Sequence, residues 1–208
     1  MPCRGPVSSC FPETSSTSTC DEPRWLKSNH AWRSSLRPHG VIFDLRGYPT
    51  DNHEILAHLT DTPLLSAIWQ VPRTIYPDRE KPAGYETSGR WTIEPQKPRL
   101  RKAVFLTSAA AISYAESVMG IIEHYRLGEI VGEATAGTNG NVNSFKLPGG
   151  FGVTWTGMRV LKHDGWQHHL IGIRPTVPVR RTLRAVQEGR DEVLAKALEL
   201  LQAGPATD

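Results

Sequence analysis

The chain has 208 residues, with 24 lysines and arginines against 21 aspartates and glutamates, for a formal net charge of +3. This excess of positive charge is small and scattered, which argues against a nucleic-acid-binding protein. No stretch approaches the roughly 20 consecutive apolar residues of a membrane-spanning helix, and the first residues lack the apolar core, roughly 7–15 residues long, of a secretory signal.

The opening stretch, residues 1–38, is rich in serine, threonine, proline and cysteine and shows little hydrophobic periodicity. This composition is typical of a poorly ordered leader. The stretch holds all three cysteines, Cys3, Cys10 and Cys20. An odd number of cysteines defines no disulfide framework, and their spacing fits no compact zinc site. A folded domain is predicted over residues 39–203, which lack cysteine and therefore a cysteine nucleophile.

The first half of the domain is predicted to contain buried strands. Short runs of apolar and β-branched residues predict three of them, at 41–45, 103–107 and 129–132. Residues 53–59 predict a short helix. Residues 60–98 are rich in proline and aromatic residues and predict an irregular wall of a binding cleft, with one or two strands, at 67–76 and 89–93.

The second half begins with a predicted helix from Ser113 to His124, because its apolar residues recur at the spacing of a helix packed on a sheet. Strand, helix and strand in this order predict a parallel pair of strands with a crossover connection. The run TAGTNGNVNSF then predicts a tight loop. The remaining elements are antiparallel strands at 145–147, 152–155 and 158–161, a turn at 164–165 and a closing amphipathic helix over 192–202.

Ser113 is the main candidate for chemistry. It follows the second predicted strand and stands where a helix begins, so the first-turn N–H groups and the helix dipole are placed to stabilise an oxyanion. Alanines on both sides leave room for a substrate backbone. The alternative is a structural N-cap, because Ser113 and Glu116 have the spacing of a capping box.

Three segments carry a family resemblance when they are taken together. DLRGYP follows the first strand, SYAES the second and VGEATAGTNG the third, and near the end stands GIRPTVPV. In order and spacing they resemble the active-site segments and closing strand of the tail-specific (C-terminal processing) proteases, and in particular the tricorn-core-like branch. The resemblance covers about residues 40–202.

This resemblance implies an α/β fold, the crotonase/Clp-protease-like spiral of ββα units, with a mainly parallel sheet and helices packed on it. It also implies a serine-type endopeptidase that hydrolyses peptide bonds of a polypeptide substrate through an acyl-enzyme on Ser113. The oxyanion hole is then expected from the backbone amides of Gly47 and Tyr114. No cofactor and no metal are expected.

The general base is the point at which the chain departs from the family. Many members carry a lysine after the third strand, where this chain has Thr138. The tricorn-like branch uses serine, histidine and an acid, but its histidine comes from upstream, where His30 and His39 stand in no recognisable motif. The place of its acid is taken by His169, which we predict as the general base because imidazole titrates near neutral pH. The alternative is that His168 and His169 are surface strand residues.

The missing upstream part predicts an N-terminally truncated chain. The competing function is therefore a catalytically impaired fragment of the same fold that binds peptides or other ligands. Family members are commonly periplasmic or secreted, but the chain shows no export signal, so its compartment is left open, as is its oligomeric state.

Overall fold

The computed structural model describes residues 40–49, 53–75, 77 and 81–203, and the predicted leader over 1–38 lies outside them. The strands are β1 (Val41–Asp44), β2 (Leu64–Leu65), β3 (Ile68–Pro72), β4 (Tyr85–Gly89), β5 (Thr92–Ile93), β6 (Ala103–Thr107), β7 (Glu129–Gly132), β8 (Val142–Lys146), β9 (Gly152–Thr156), β10 (Arg159–Leu161) and β11 (Val177–Pro178). The helices are a 3-10 helix (His53–Leu59), α1 (Tyr114–Tyr125), α2 (Leu183–Gln187) and α3 (Glu192–Gln202).

The centre of the molecule is a parallel sheet with the strand order β1–β6–β7–β11. All five residues of β6 are buried. They are buried because helices cover both faces of the sheet, which is the usual reason that a parallel strand is apolar along its whole length.

Side chains of β6 alternate between two hydrophobic clusters. Ala103 and Phe105 belong to the cluster that includes Met119 of α1, whereas Val104 and Leu106 belong to the cluster that includes the apolar side chains of α3. The period of two in a strand thus divides one apolar run between two helices. The sheet thereby holds α1, and with it Ser113, against the carboxyl end of β6.

Smaller antiparallel sheets surround this centre. Strands β10, β3 and β4 form one of them, β2 pairs with β5, and β8 pairs with β9 as a hairpin. The register of β3 and β4 shifts between Trp69 and Gln70, where Ser88 has no partner on the facing strand. The shift is a β-bulge, a feature that bends a strand and redirects its side chains.

The α/β class with a mainly parallel sheet and packed helices is confirmed. The three predicted parallel strands, the helix after Ser113 and the closing helix are all present. The strand predicted over 89–93 is present only in part: β4 ends at Gly89 and the short β5 covers Thr92–Ile93, with Trp91 packed against the core between them. Within the described part of the chain, no helix is both long and apolar enough to cross a membrane.

Candidate active site

Ser113 occupies the N-cap position of α1 with a strained backbone, at φ 51° and ψ −109°. A positive φ is uncommon for a residue other than glycine and marks strain that the surroundings must impose. The side chain makes no capping hydrogen bond, and the backbone N–H of Ser113 donates instead to the carbonyl oxygen of Thr138, at 2.7 Å. The capping-box interpretation of Ser113 is therefore wrong, and its half-buried hydroxyl has no hydrogen-bond partner among the described residues.

Glu116 serves a different purpose from the one that the capping-box spacing suggests. Its side chain is buried in the first turn of α1 and accepts hydrogen bonds from the Thr135 hydroxyl at 2.6 Å, the Gly137 N–H at 2.6 Å and the Thr138 N–H at 2.8 Å. One carboxylate thus fixes the loop after β7 to the start of α1. This loop also supplies the carbonyl of Thr138 that holds the backbone of Ser113.

His168 lies on the other side of this carboxylate. Its Nε2 is 3.2 Å from Glu116 Oε2, without the alignment of a hydrogen bond, and its side chain is buried. Burial would raise the pKa of Glu116, but the contacts from His168, Thr135 and Gly137 outweigh burial and hold this pKa below its usual value. Glu116 is accordingly a carboxylate near neutral pH, and the interpretation of His168 as a surface residue is wrong.

The turn after β1 carries the other predicted oxyanion donor, Gly47. The preceding carbonyl, that of Arg46, accepts a hydrogen bond from the Ser108 hydroxyl at 2.9 Å, which ties the turn to the end of β6. The Arg46 guanidinium bonds Asp44 at 2.6 Å and Asp191 at 2.7 Å, and its hydrogen bond lowers the pKa of Asp44. Arg46 is thus a structural anchor of the turn.

A cleft of about 390 Å³ brings the predicted segments together. Its wall includes Tyr48, beside Gly47, as well as Ser113 and Tyr114 at the start of α1. The rings of Tyr48 and Tyr114 are 6.4 Å apart. The remaining wall comes from the predicted irregular segment and from the loop before β8, namely Trp69, Ser88, Gly89, Arg90, Trp91, Ser117, Asn139, Gly140, Asn141 and Met158. The prediction that residues 60–98 supply a cleft wall is confirmed.

His169, the predicted base, contacts this cleft through a backbone group. Its Nε2 hydrogen-bonds the carbonyl oxygen of Asn139, at 2.8 Å. Since a carbonyl only accepts, Nε2 carries the proton, and in the neutral ring Nδ1 has the lone pair. None of the described histidines hydrogen-bonds the Ser113 hydroxyl, while His30 and His39 lie outside the described residues.

Two further residues shape the site: the sequence assigned Asn139 only to a tight loop, and it gave no indication of His53. Asn139 is buried, its side chain bonds Ser117 at 3.0 Å and the N–H of Gly140 at 2.7 Å, and so it shapes the loop from within. His53 stacks on Trp91 with ring centroids 4.5 Å apart, and its Nδ1 lies 2.9 Å from the Tyr114 hydroxyl. Asn139 belongs to the segment VGEATAGTNG, whereas His53 stands in no motif, and the fold places His53 against Trp91 and Tyr114 of the cleft wall. Among the described residues, no group of histidine, cysteine, aspartate and glutamate side chains could hold a metal ion.

Comparison with known proteins adds a family and a fold. The model of peptidase family S41 matches residues 34–179, whereas no curated protein sequence matches the chain. A candidate peptidase from Parabacteroides merdae is similar over 86% of this chain and 57% of its own, at 22% identity and a TM-score of 0.68. Mature CPAF is similar over 94% of this chain and 50% of its own, at 17% identity and a TM-score of 0.67.

The photosystem II D1 C-terminal processing protease is similar over 84% of this chain and 42% of its own, at 19% identity and a TM-score of 0.51. At these identities the likeness establishes the fold alone. The chain spans about half the length of the solved structures that it matches.

Proposed function

The chain belongs to peptidase family S41, and on this premise we propose that it is a serine-type endopeptidase whose nucleophile is the Ser113 hydroxyl. The observation that carries the proposal is the strained backbone of Ser113 at the N-terminus of α1. The strain keeps the hydroxyl away from the N–H groups that it would otherwise cap, and the same residue lines the cleft. Strained residues of this kind cluster at catalytic sites.

The reaction that we propose proceeds through an ester. Ser113 Oγ bonds to the carbonyl carbon of the peptide while its proton passes to a base, and the carbonyl oxygen becomes an oxyanion. The N–H groups of Gly47 and Tyr114 would donate to this oxyanion. The C–N bond then breaks as the amine takes the proton, and water hydrolyses the acyl-enzyme to release the acid and regenerate Ser113.

We keep His169 as the proposed base. The hydrogen bond from Nε2 to Asn139 selects the tautomer whose Nδ1 accepts a proton, which is the form that general-base catalysis needs. Asn139 itself lines the cleft together with Ser113. The imidazole must then turn toward Ser113 during the reaction, because in the described structure it bonds Asn139 instead.

The substrate would bind as an extended polypeptide along β4. This strand pairs only with β3 in the described sheet, so its outer edge is available for an added strand. Ser88 and Gly89, at the end of β4, line the cleft beside Ser113. An added strand on this edge would therefore lead a peptide past the nucleophile.

Labelling with a fluorophosphonate tests the nucleophile. We expect the full 208-residue chain to be labelled and Ser113→Ala to remain unlabelled. Ser144→Ala is the matched control, because Ser144 is an exposed serine outside the cleft, and it should label like the wild type. His169→Gln should slow labelling by about 10²-fold or more if His169 is the base. Equal labelling of the wild type and Ser113→Ala would overturn the assignment of the nucleophile.

One observation favours the second candidate, a catalytically impaired peptide-binding fragment. In the described structure the imidazole of His169 bonds a backbone carbonyl rather than Ser113. If this arrangement persists in solution, the wild-type chain will not label, yet it will still bind an extended peptide at β4. A peptide blocked at both ends distinguishes the two functions, because an endopeptidase cleaves it and a binding fragment only retains it.

A further inference from the structure

Aromatic rings form a continuous wall along the cleft. The ring of Tyr114 lies 5.4 Å from Trp91, and Trp91 lies 5.1 Å from Trp69 in an edge-on arrangement. Tyr48 continues the row on the other side of Tyr114 and is more than half exposed. These four rings come from the turn after β1, from residues 60–98 and from the start of α1. The wall is therefore a product of the fold rather than of a local aromatic run.

The β-bulge in β4 lies in the lining of the same cleft. The unpaired residue of the bulge, Ser88, and its neighbour Gly89 both line the cleft. Gly89 has a φ of 153°, and a Cβ added there would meet no atom within 4 Å. The lining at Gly89 is therefore unobstructed, next to its register partner Trp69 on the facing strand.

Charge on the wall has one sign. Arg90 is the one charged side chain among the residues that line the cleft, and its guanidinium is fixed by a hydrogen bond to the carbonyl oxygen of Ser66, at 3.0 Å. The other polar side chains of the wall, which are serines, asparagines and the two tyrosines, carry no formal charge. A cationic side chain would thus meet a like charge here, whereas an apolar ring would meet four rings.

The size of the cleft sets what it can hold. At about 390 Å³ it lies near the lower end of the range, about 300–1,000 Å³, that ligand pockets usually span. This space admits one large side chain with a short length of backbone. Aromatic rings pack against one another edge-on or offset at centroid distances of about 4.5–7 Å, which are the distances already present along the wall.

We infer that the cleft is a specificity subsite which selects an aromatic side chain, next to the bond to be cut, over small or cationic ones. The inference rests on the proposed function in one respect only, namely that the ligand is a peptide positioned for Ser113. Tyr48, Trp69 and Trp91 would supply the contacts, and Arg90 would exclude lysine and arginine. The subsite thus defines the substrate class as polypeptides with exposed, extended aromatic residues.

Binding to Ser113→Ala tests the subsite without requiring catalysis. The probes are fluorescent peptides blocked at both ends, identical except for one central phenylalanine, alanine or lysine, and the readout is fluorescence anisotropy. We expect the phenylalanine peptide to bind about ten- to a hundredfold more tightly than the alanine peptide. The lysine peptide should bind no better than the alanine peptide.

A variant of Tyr48 tests the wall itself. Because Tyr48 is exposed, Tyr48→Ala should fold normally and reduce the preference for phenylalanine several-fold, while Tyr48→Phe should retain it. Trp166→Ala is the matched control, since Trp166 is an exposed ring outside the cleft and its loss should leave the preference unchanged. Equal affinities for the three peptides, or equal effects of Tyr48→Ala and Trp166→Ala, would overturn the inference.

The two proposals fail separately. Selective binding by Ser113→Ala together with no labelling of the wild type would refute the proposed nucleophile and leave the subsite in place. Labelling of Ser113 together with no preference among the peptides would refute the subsite and leave the proposed nucleophile in place.

Discussion

Strands β6 and β8 have five residues each and both adjoin segments of the cleft, yet they differ in solvent exposure. Every residue of β6 is buried, whereas every residue of β8 is exposed. The strand β6 precedes Ser113, and the loop that enters β8 supplies Asn139 and Asn141 to the cleft wall. The nucleophile thus follows a fully buried strand, whereas the wall formed by Asn139 and Asn141 continues into a fully exposed strand.

The hairpin of β8 and β9 still has the sequence pattern of a strand pair with one covered face. Its register places four large apolar side chains on one face, while Val142 lies on the other, and these four remain well exposed in the described structure: Phe145, Leu147, Phe151 and Trp155. The opposite face carries Ser144, Lys146 and Thr154. Two-stranded hairpins are marginally stable on their own, so we expect this region to contribute little to global stability.

The largest predicted effect comes from Phe105→Ala in β6. Phe105 is buried between α1 and the sheet and stacks on Phe43 at 5.2 Å, so its removal leaves a cavity. Large-to-small changes of this kind cost about 3–5 kcal/mol. Urea unfolding of the variant should show this loss, and a loss below about 1 kcal/mol would mean that the packing around β6 is not as described.

Glu116→Ala should follow, with a loss of about 3 kcal/mol. The substitution leaves the buried Gly137 N–H and Thr135 hydroxyl, and the less buried Thr138 N–H, without their acceptor, and a buried group left in this way costs about 1–3 kcal/mol. Glu116→Gln keeps the shape and part of the acceptor capacity and should lose less. If both variants unfold at the same urea concentration as the wild type, the carboxylate does not anchor the loop.

The wild type and Glu116→Gln also test how the stability of the protein depends on pH. Because the pKa of Glu116 is lowered in the folded state, its contribution to stability is fully present above the ordinary value of 4.5 and is lost as the pH falls through the lower folded value. The wild type should therefore lose more stability than Glu116→Gln on acidification below that value. Asp44 and Asp191, whose pKa values are also lowered, should still make the variant acid-sensitive.

The smallest effect is expected for Phe151→Ala at the end of the hairpin. Phe151 is 70% exposed, and surface substitutions of this kind change stability by about 0.5 kcal/mol or less. The urea midpoint of Phe151→Ala should match that of the wild type, whereas that of Phe105→Ala should be lower. A loss comparable to that of Phe105→Ala would show that a partner covers the hairpin in solution.

The sequence was sufficient where one run of residues determines one element. Apolar runs identified β1, β6 and β7, since a parallel strand between two helix layers must be apolar throughout. The order of the active-site segments pointed to Ser113 because the fold places strand ends side by side. Spacing alone misjudged Glu116, since the capping box predicts a bond to the N–H of Ser113 and the carboxylate instead binds a loop about twenty residues away.

The aromatic wall could not be predicted in the same way. The sequence placed Trp69 and Trp91 in a segment predicted to form a cleft wall, but the contacts of their rings with each other and with Tyr114 depend on the tertiary fold. The base is a similar case. The sequence places His169 where the family has its acid, but it does not indicate which atom the imidazole will bond. In the structure that atom is the carbonyl oxygen of Asn139.

The backbone angle at Ser113 places reactivity and thermal resistance in opposition. Glycine would adopt this conformation without the strain, which amounts to about 1–3 kcal/mol for a side-chain-bearing residue. Ser113→Gly should accordingly melt at a higher temperature than the wild type while it loses the hydroxyl. In a relative that no longer uses this nucleophile, glycine at this position would be expected to raise the stability of the fold while removing the hydroxyl.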